Sequence, residues 1–210
     1  MIKKSKSSQT DNRRRRRKPE AAESEILNAA ENFLKEFPFR EMTVDDIMAR
    51  TGLSRPSFYE YFRDRSHLIV KLIERLNERD RAVSARWFTD PDPVESLRHT
   101  IRDLVQAYIS HGHLLRALSD ATHVYENVEA SYRERFEVVI RETGRRIGEF
   151  MARGVVSLEG VDPQEIAAAL LWMNERYMIE KFGREPHADP KVVTDTLVAI
   201  WSRVLHGAVR

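Results

Sequence analysis

The sequence predicts an all-α protein of about nine helices. Apolar side chains recur at the helical spacing of i, i+3, i+4 and i+7 along nearly all of the 210 residues, and that period places them on one face of a helix. No segment shows the strict alternation of apolar and polar side chains that is typical of a half-buried strand. With 41% apolar side chains, the chain is able to bury a core, and we expect a small helical module joined to a larger one.

The first three helices are marked by residues that begin or end a helix. The first ends before Pro38, whose ring cannot continue a helix. Thr43 is a good N-cap for the second helix, with Asp46 three positions later in an arrangement close to a capping box. Gly52 suits the left-handed residue after that helix, and Ser54 is able to cap the third. The apolar faces of the first two helices comprise Ile26, Ala29, Ala30, Phe33, Leu34, Phe37, Val44, Ile47 and Met48.

A longer fourth helix follows and stops at a run of helix-breaking residues. Its apolar stripe runs from Leu68 to Leu76, and TDPDP (89–93) ends the stretch and marks a candidate domain boundary. Five more helical segments follow, and we interpret Gly112 as part of a turn between the first two of them. These segments span about residues 94–111, 114–125, 129–153, 163–182 and 191–205.

The net charge of +2 conceals a strongly basic start of the chain. Residues 1–20 hold nine Lys or Arg against two acids, whereas residues 21–80 carry a net −3 and the remainder a net −2.

Cysteine is absent, which excludes thiolate and disulfide chemistry and suits a reducing compartment. The sequence opens without an apolar signal segment, and its longest apolar run, from Ile166 to Met173, is too short to cross a bilayer. We therefore expect a cytoplasmic protein with no membrane partner.

The segment TVDDIMAR-TGLS-RPSFYEYF (43–62) matches a helix-turn-helix unit, in which a Gly-containing turn joins two short helices. Phe58 and Phe62 lie one helical turn apart, so they share a face of the third helix and are predicted to pack inward. The opposite face could lie in a DNA major groove, where Arg, Ser and Tyr reach phosphates and base edges. The alternative is an ordinary helix pair with a solvated polar face. The predicted DNA-facing surface comprises Arg55, Pro56, Ser57, Tyr59, Glu60 and Tyr61.

This segment, followed by a long amphipathic helix, resembles the DNA-binding module of the TetR family of bacterial repressors. The resemblance implies that double-stranded DNA is a partner and that the larger domain forms a homodimer. It also implies a phosphate contact from Arg65, where the family carries a Lys. By function we divide the chain into a basic arm (1–20), a helix-turn-helix domain (21–66) and an effector-binding and dimerisation domain (67–210). Further contacts to phosphates or bases are implied for Thr43, Ser54, Arg55, Ser57, Tyr59 and Tyr61.

Two features of the DNA-binding half need separate interpretation. The arginines of the arm repel one another, so we expect the arm to be disordered without DNA and to bind phosphates or the adjacent minor groove on DNA. A solubilising tail is the alternative. Glu60 would repel phosphates, so it either accepts a hydrogen bond from cytosine N4 or turns toward solvent or Arg63. The arm residues are Arg13, Arg14, Arg15, Arg16 and Arg17.

Asn174 interrupts an apolar helical run, and a buried amide needs hydrogen-bond partners. The segments MNER (173–176) and DTLVAIW (195–201) resemble those of a mycobacterial branch of the TetR family, in which this asparagine reaches into a long apolar pocket and binds ligands. The resemblance implies a small apolar or amphipathic effector. The alternative for Asn174 is a hydrogen bond between helices or across a dimer interface. The implied pocket wall comprises Leu97, Ile101, Leu104, Tyr108, Tyr132, Phe136, Val139, Thr143, Asn174, Met178 and Trp201.

Three positions depart from that branch. Leu171 replaces a second pocket asparagine, and Glu142 and Arg146 stand where the branch has uncharged side chains. These departures predict a shorter cavity or a ligand with a charged end.

We interpret the chain as a homodimeric regulator that binds a palindromic operator and is released by the effector. Repression is implied by the family, although the DNA-binding parts alone are equally compatible with activation. One rival is a constitutive DNA-binding protein with a solid core and no effector. The other is an all-α enzyme, for which His111, His113, Asp120 and His123 are the best catalytic or metal-binding candidates. No catalytic sequence motif accompanies them, so we expect no enzyme activity, no metal and no cofactor.

Overall fold

The structure, a computed structural model, describes residues 19–89, 93–156, 158 and 160–206. That part of the chain forms eight α-helices and one short 3-10 helix with no strand, so the predicted all-α class is confirmed. The 3-10 helix, Phe39–Glu41, lies between the first two α-helices. In chain order the α-helices are α1 (Pro19–Glu36), α2 (Val44–Ala49), α3 (Arg55–Tyr61), α4 (Arg65–Thr89), α5 (Pro93–Thr122), α6 (Glu126–Ala152), α7 (Pro163–Phe182) and α8 (Pro190–His206).

Helices α1 to α3 form a small module around an apolar core. The predicted capping box at the start of α2 is present: Thr43 Oγ1 accepts from the backbone N–H of Asp46, and the Asp46 carboxylate accepts from the backbone N–H of Thr43, both at 3.2 Å. Phe58 and Phe62 pack inward as predicted, because both are 0% exposed and their ring centroids lie 5.3 Å apart. The same core includes Ile26, Ala30, Met42, Ile47, Leu68 and Ile69.

Helix α4 connects this module to the larger helical bundle. Its first turns bury Leu68 and Ile69 in the core, and its body packs against α5 and α6. The functional boundary between residues 66 and 67 therefore falls inside the first turn of α4. Any displacement of the bundle that moves α4 also moves the end of the helix-turn-helix.

Helix α5 runs unbroken for 30 residues, so the predicted turn at Gly112 is wrong. A Cβ at this position would lie 2.5 Å from the carbonyl oxygen of Phe182. The glycine therefore lets the end of α7 approach the middle of α5 closely, and it does not reverse the chain. Sequence alone does not separate these two uses of a glycine inside a helical pattern.

The remaining helices complete the bundle. Asp162 caps α7, because its side chain accepts from the backbone N–H of Gln164 at 2.8 Å, and Pro163 occupies the first turn. Helix α7 packs along α6 and α5, and α8 packs mainly on α5. Of the helices in the described part, none combines the length and apolarity that a membrane span requires.

Candidate functional site

Helix α3 has one buried and one exposed face, as a recognition helix requires. Pro56, Tyr59 and Glu60 are exposed, and the Tyr59 side chain is 52% exposed. Ser57 is half-buried. Tyr61 is also half-buried and packs against the core, so its aromatic ring is less available than that of Tyr59. The exposed face is therefore built around the start and middle of α3.

Arg55 begins α3 and is held by an acid from α2. Its Nη1 contacts both carboxylate oxygens of Asp45, at 2.7 and 2.8 Å. Hydrogen bonding to Tyr59, followed by the charge of Asp45, raises the pKa of Arg55 above its ordinary value. The exposed guanidinium is thus oriented across the turn between the two helices, and an operator phosphate would compete with Asp45 for it.

The hydroxyl groups at the helix starts are already engaged. Thr43 Oγ1 takes part in the capping box with Asp46. Ser54 is the N-cap residue of α3, as predicted, but its side chain makes no capping hydrogen bond. Its Oγ instead lies 3.0 Å from Ser57 Oγ. Either serine hydroxyl is able to exchange this contact for a phosphate oxygen, because a hydroxyl both donates and accepts.

Arg65 has partners on both sides of the domain boundary. Its Nη1 donates to the backbone carbonyl of Met42, and its Nη2 donates to Tyr125 Oη at 2.9 Å. Tyr125 lies between α5 and α6, so this bond joins the start of α4 to the larger domain. Sequence reasoning missed Tyr125, since the two residues lie 60 positions apart.

Four of the predicted DNA contacts surround one surface concavity of about 510 Å³. They come from the N-cap of α2 and from α3 and α4, and Tyr125 completes the rim from the larger domain. The predicted arm, Arg13 to Arg17, lies outside the described residues. The full lining is Thr43, Val44, Asp45, Arg55, Tyr59, Asp64, Arg65, Ser66 and Tyr125.

The residues predicted to line the effector pocket point into the larger domain. All are buried except Leu104 and Val139, which are half-buried. Burial alone also fits a plain core, so the assignment to a pocket stays a prediction. They are carried by α5 (Leu97, Ile101, Leu104 and Tyr108), α6 (Tyr132, Phe136, Val139 and Thr143), α7 (Asn174 and Met178) and α8 (Trp201).

Asn174 and Trp201 are joined directly. The Trp201 indole nitrogen donates to Asn174 Oδ1 at 3.0 Å, which is the bond between helices that the sequence left open as an alternative. Trp201 also packs edge-on against Trp87 of α4, with centroids 5.9 Å apart, and Trp87 packs against Phe150 of α6 at 6.1 Å. Trp87 was not predicted, because its segment lies in a different part of the chain from the resembling motifs.

Several buried polar side-chain atoms of the larger domain lack a hydrogen-bond partner among the described residues. Three of them bear on the predicted pocket: Trp87 Nε1, Thr100 Oγ1 and Tyr132 Oη. A buried polar group without a partner destabilises the fold by about 1–3 kcal/mol, so such atoms are expected to gain a partner from a ligand or from water. They lie on α4, α5 and α6, around the region that the sequence predicted as a pocket.

Charged groups also enter the larger domain. Arg146 is buried with its guanidinium carbon 4.3 Å from the Phe150 ring centroid, whereas Glu142 pairs with Arg145 at 3.2 Å.

Glu175, next to Asn174, is only 6% exposed, and one of its carboxylate oxygens has no hydrogen-bond partner in the described structure. Burial raises the pKa of Glu175 to about 8. The acid is therefore largely protonated at neutral pH.

A separate groove of about 1020 Å³ runs between the end of α1, the middle of α5 and the segment that follows α7. Burial lowers the pKa of His113 in this groove to about 4, with help from the charge of Lys35. Two other residues that the sequence offered as catalytic or metal-binding candidates have ordinary partners. Asp120 pairs with Arg116 at 3.8 Å, and His123 contacts the Ser119 carbonyl oxygen. Among the described residues, no group of three or more His, Cys, Asp or Glu side chains is arranged to hold a metal ion.

A helical bundle that carries an α2-turn-α3 unit with a polar exposed face is a DNA-binding regulator in its architecture. Two known families match the chain. "Bacterial regulatory proteins, tetR family" matches residues 26–72. "Transcriptional regulator EthR, C-terminal domain" matches residues 97–207, more than half of the chain.

Individual relatives agree with the family matches. The HTH-type transcriptional regulator EthR of Mycobacterium tuberculosis (strain ATCC 25618 / H37Rv) is 31% identical over 189 residues, which cover 88% of this chain and 87% of that protein. EthR of Mycolicibacterium smegmatis is 28% identical over 193 residues, covering 89% and 87%. The chain therefore belongs to the TetR family and is a helix-turn-helix transcriptional regulator. The prediction that it is not an enzyme is confirmed by these named relatives.

Solved structures show the same fold at low sequence identity. The fatty acid degradation regulator FadR from Bacillus halodurans superposes with a TM-score of 0.75 at 12% identity, over 90% of this chain and 96% of that one. A TetR-family regulator from Rhodococcus sp. gives a TM-score of 0.72 at 17% identity, over 89% and 99%. At such identities the likeness supports the fold alone.

Proposed function

We propose that the protein is a repressor that binds a near-palindromic operator as a homodimer and is released by a small apolar or amphipathic effector. The observation that carries the DNA-binding part is the division of α3, where Phe58 and Phe62 are buried while Arg55 and Tyr59 are exposed. In this arrangement α3 enters the major groove, and Thr43, Ser57 and Arg65 contact the backbone beside it. The proposal places the protein in the cytoplasm with its operator.

Dimerisation through α7 and α8 is supported by apolar side chains on their outward faces. Trp172 is 39% exposed although its ring stacks on Phe136 at 4.1 Å, and Val192 on α8 is 58% exposed. Ile166 and Leu171 on α7 are half-buried. A large exposed tryptophan on a helix that is also apolar on its inner face fits a helix with two packing partners. A two-fold dimer would place its recognition helices roughly 34–36 Å apart, one turn of DNA.

An effector site between α4 and α8 is supported by the polar atoms that lack partners in an apolar interior. Trp87 Nε1, a donor, and Thr100 Oγ1, a donor and acceptor, make no hydrogen bond to the described residues. A ligand with one polar end and an apolar body would supply hydrogen-bond partners to such atoms and contact the apolar side chains around them. The effector shifts the protein away from DNA only by its higher affinity for the state with displaced recognition helices.

One observation favours the rival function, a DNA-binding regulator with no effector. The Asn174 amide, which an effector would be expected to contact, already accepts a hydrogen bond from Trp201 Nε1. In that case the aromatic cluster of Trp87, Trp201 and Phe150 is simply a solid core.

The DNA-binding proposal is tested by selecting operator sequences from a random library and comparing two arginine variants by fluorescence anisotropy. Arg55→Ala removes a guanidinium from the exposed face of α3, and we expect operator affinity to fall at least tenfold. Arg133→Ala is the matched control, because Arg133 is also exposed and paired with an acid, at 3.0 Å, but lies on α6. Equal affinities of both variants and the wild type would contradict the proposed interface.

The effector proposal is tested by native mass spectrometry before and after organic extraction. A dimer that carries an extractable small molecule supports the pocket. If the dimer has the bare chain mass and no compound from an apolar library releases the operator, the effector-free regulator is the better description.

A further inference from the structure

Tyr125 belongs to the larger domain but contacts the helix-turn-helix module at two points. It is the residue that precedes α6, with extended backbone angles of φ −129° and ψ 119°. Its hydroxyl oxygen accepts from Arg65 Nη2 at 2.9 Å, and its ring packs edge-on against Phe39 with centroids 5.9 Å apart. The side chain is half-buried, so the hydroxyl reaches the surface concavity while the ring stays anchored.

A second contact reinforces the first. Asn127 Nδ2 donates to Ser66 Oγ at 2.9 Å, and Ser66 Oγ donates to Asp64 Oδ1 at 2.6 Å. The same Asp64 oxygen accepts from the backbone N–H of His67 at 2.9 Å. Hydrogen bonds from Ser66 and His67 hold the pKa of Asp64 below its ordinary value. The first turn of α4 is therefore fixed to the start of α6 by neighbouring residues, Arg65 and Ser66.

The two arginines at the concavity are held in different ways. Arg55 faces the carboxylate of Asp45, which partly neutralises it and competes with phosphate. Arg65 instead donates to two neutral oxygens of the described residues, the Met42 carbonyl and the Tyr125 hydroxyl. A guanidinium has five N–H donors, and two bonds to neutral acceptors fix its plane while leaving its charge and further donors for an anion.

We propose that Tyr125 is a positioning residue for operator binding, which holds the guanidinium of Arg65 toward the concavity where an operator phosphate binds. This inference rests on the proposed phosphate contact of Arg65. A free arginine side chain has many rotamers, and ordering it on DNA opposes binding. The Tyr125 hydroxyl orders it beforehand. Because Tyr125 is carried by the segment that joins α5 to α6, the same bond links the larger domain to the DNA surface.

The test compares Tyr125→Phe with the wild type on the selected operator, using affinity measured across a salt series. The phenylalanine keeps the ring against Phe39 and removes only the hydroxyl. We expect operator affinity to fall about three- to tenfold and the slope of log K against log[salt] to become shallower by up to ~1, as for loss of one phosphate contact. Tyr177→Phe on α7 is the matched control and should match the wild type in both readouts.

Arg65→Gln separates failure of the inference from failure of the proposed contact. If Tyr125 acts through Arg65, Tyr125→Phe has no further effect on affinity in the Arg65→Gln background. If Arg65→Gln weakens binding but Tyr125→Phe alone does not, the phosphate contact stands and the positioning role is refuted. If Arg65→Gln itself binds like the wild type, the proposed phosphate contact is wrong. An equal loss from Tyr125→Phe in both backgrounds would show a general structural effect and would also refute the inference.

Discussion

The Trp201 indole and the Asn174 amide form a buried hydrogen bond of 3.0 Å between α8 and α7. Both side chains are almost fully buried, at 3% and 2% exposure, so water does not replace this bond when it is broken. The bond ties together the two helices that we propose as the dimer surface. An effector that hydrogen-bonds the Asn174 amide would bind beside Trp201, so the site of ligand binding would be coupled to the packing of α8.

Replacing Asn174 by Ala should lower stability by about 1–3 kcal/mol, because it leaves the buried Trp201 Nε1 without an acceptor. Urea unfolding followed by tryptophan fluorescence measures the change. Trp201→Phe should show a similar loss, and the double variant should lose less than the sum of the single variants, since both disrupt one bond. Strict additivity of the two losses would contradict a direct bond.

Gly112→Ala and Gly148→Ala provide a matched test of helix packing. Both glycines lie inside long helices, but an added Cβ meets the Phe182 carbonyl oxygen at 2.5 Å in the first case and Pro163 Cγ at 3.8 Å in the second. Overpacking against backbone should destabilise Gly112→Ala by roughly 1–3 kcal/mol. Gly148→Ala should be neutral or stabilising by up to about 1 kcal/mol, because Ala is the better helix former. Thermal unfolding measures the change, and a shift of Tm in the same direction for both variants would count against the close approach of α5 and α7.

Glu175 should make the protein lose stability as pH rises. Its pKa is about 8 in the folded chain against an ordinary value of 4.5, so between these values the folded state holds a proton that the unfolded state has released. The contribution of protonated Glu175 to the free energy of unfolding is fully present below pH 4.5 and is lost as pH rises through about 8. Above that pH the free energy of unfolding is lower by an amount on the order of a few kcal/mol.

Glu175→Gln checks this pH dependence, since the amide keeps the shape of the protonated acid and does not titrate. Urea unfolding at pH 5 and at pH 8.5 should show the variant gaining stability relative to the wild type at the higher pH. The exposed Glu180→Gln on the same helix serves as the control. A difference between Glu175→Gln and the wild type that stays constant with pH would show that the carboxyl is not buried in the protonated form.

The parts of the fold set by local chemistry were predictable from the sequence. The capping box at Thr43 and Asp46 and the shared inner face of Phe58 and Phe62 depend on residues three or four positions apart, and the structure contains both. The exposed side of α3 follows directly from that inner face. Gly112 was misread because a glycine inside a helical pattern has the same local signal whether it ends a helix or admits a neighbour.

The contacts that join distant parts of the chain were not predictable. Tyr125 meets Arg65 across 60 positions, and Asn127 meets Ser66 across 61. No periodicity or spacing rule relates such residues, because their proximity arises only when α4 and α6 pack together. Glu175 was likewise missed: its sequence neighbours are polar, and only the packed bundle shows that the acid is buried.

The arginine arm should add to affinity without adding to sequence preference. Phosphate contacts are independent of base sequence, and each one contributes about 0.9 to the salt slope on duplex DNA. Replacing all five arginines from Arg13 to Arg17 by Gln keeps the length of the arm and removes its charge. We expect weaker binding to operator and random DNA by similar factors, with a salt slope shallower by roughly 2–4. The selected operator sequence should stay the same, as read by sequencing the bound pool. A changed consensus would show that the arm reads bases in the minor groove, and an unchanged slope would show that it is a tail that does not touch DNA.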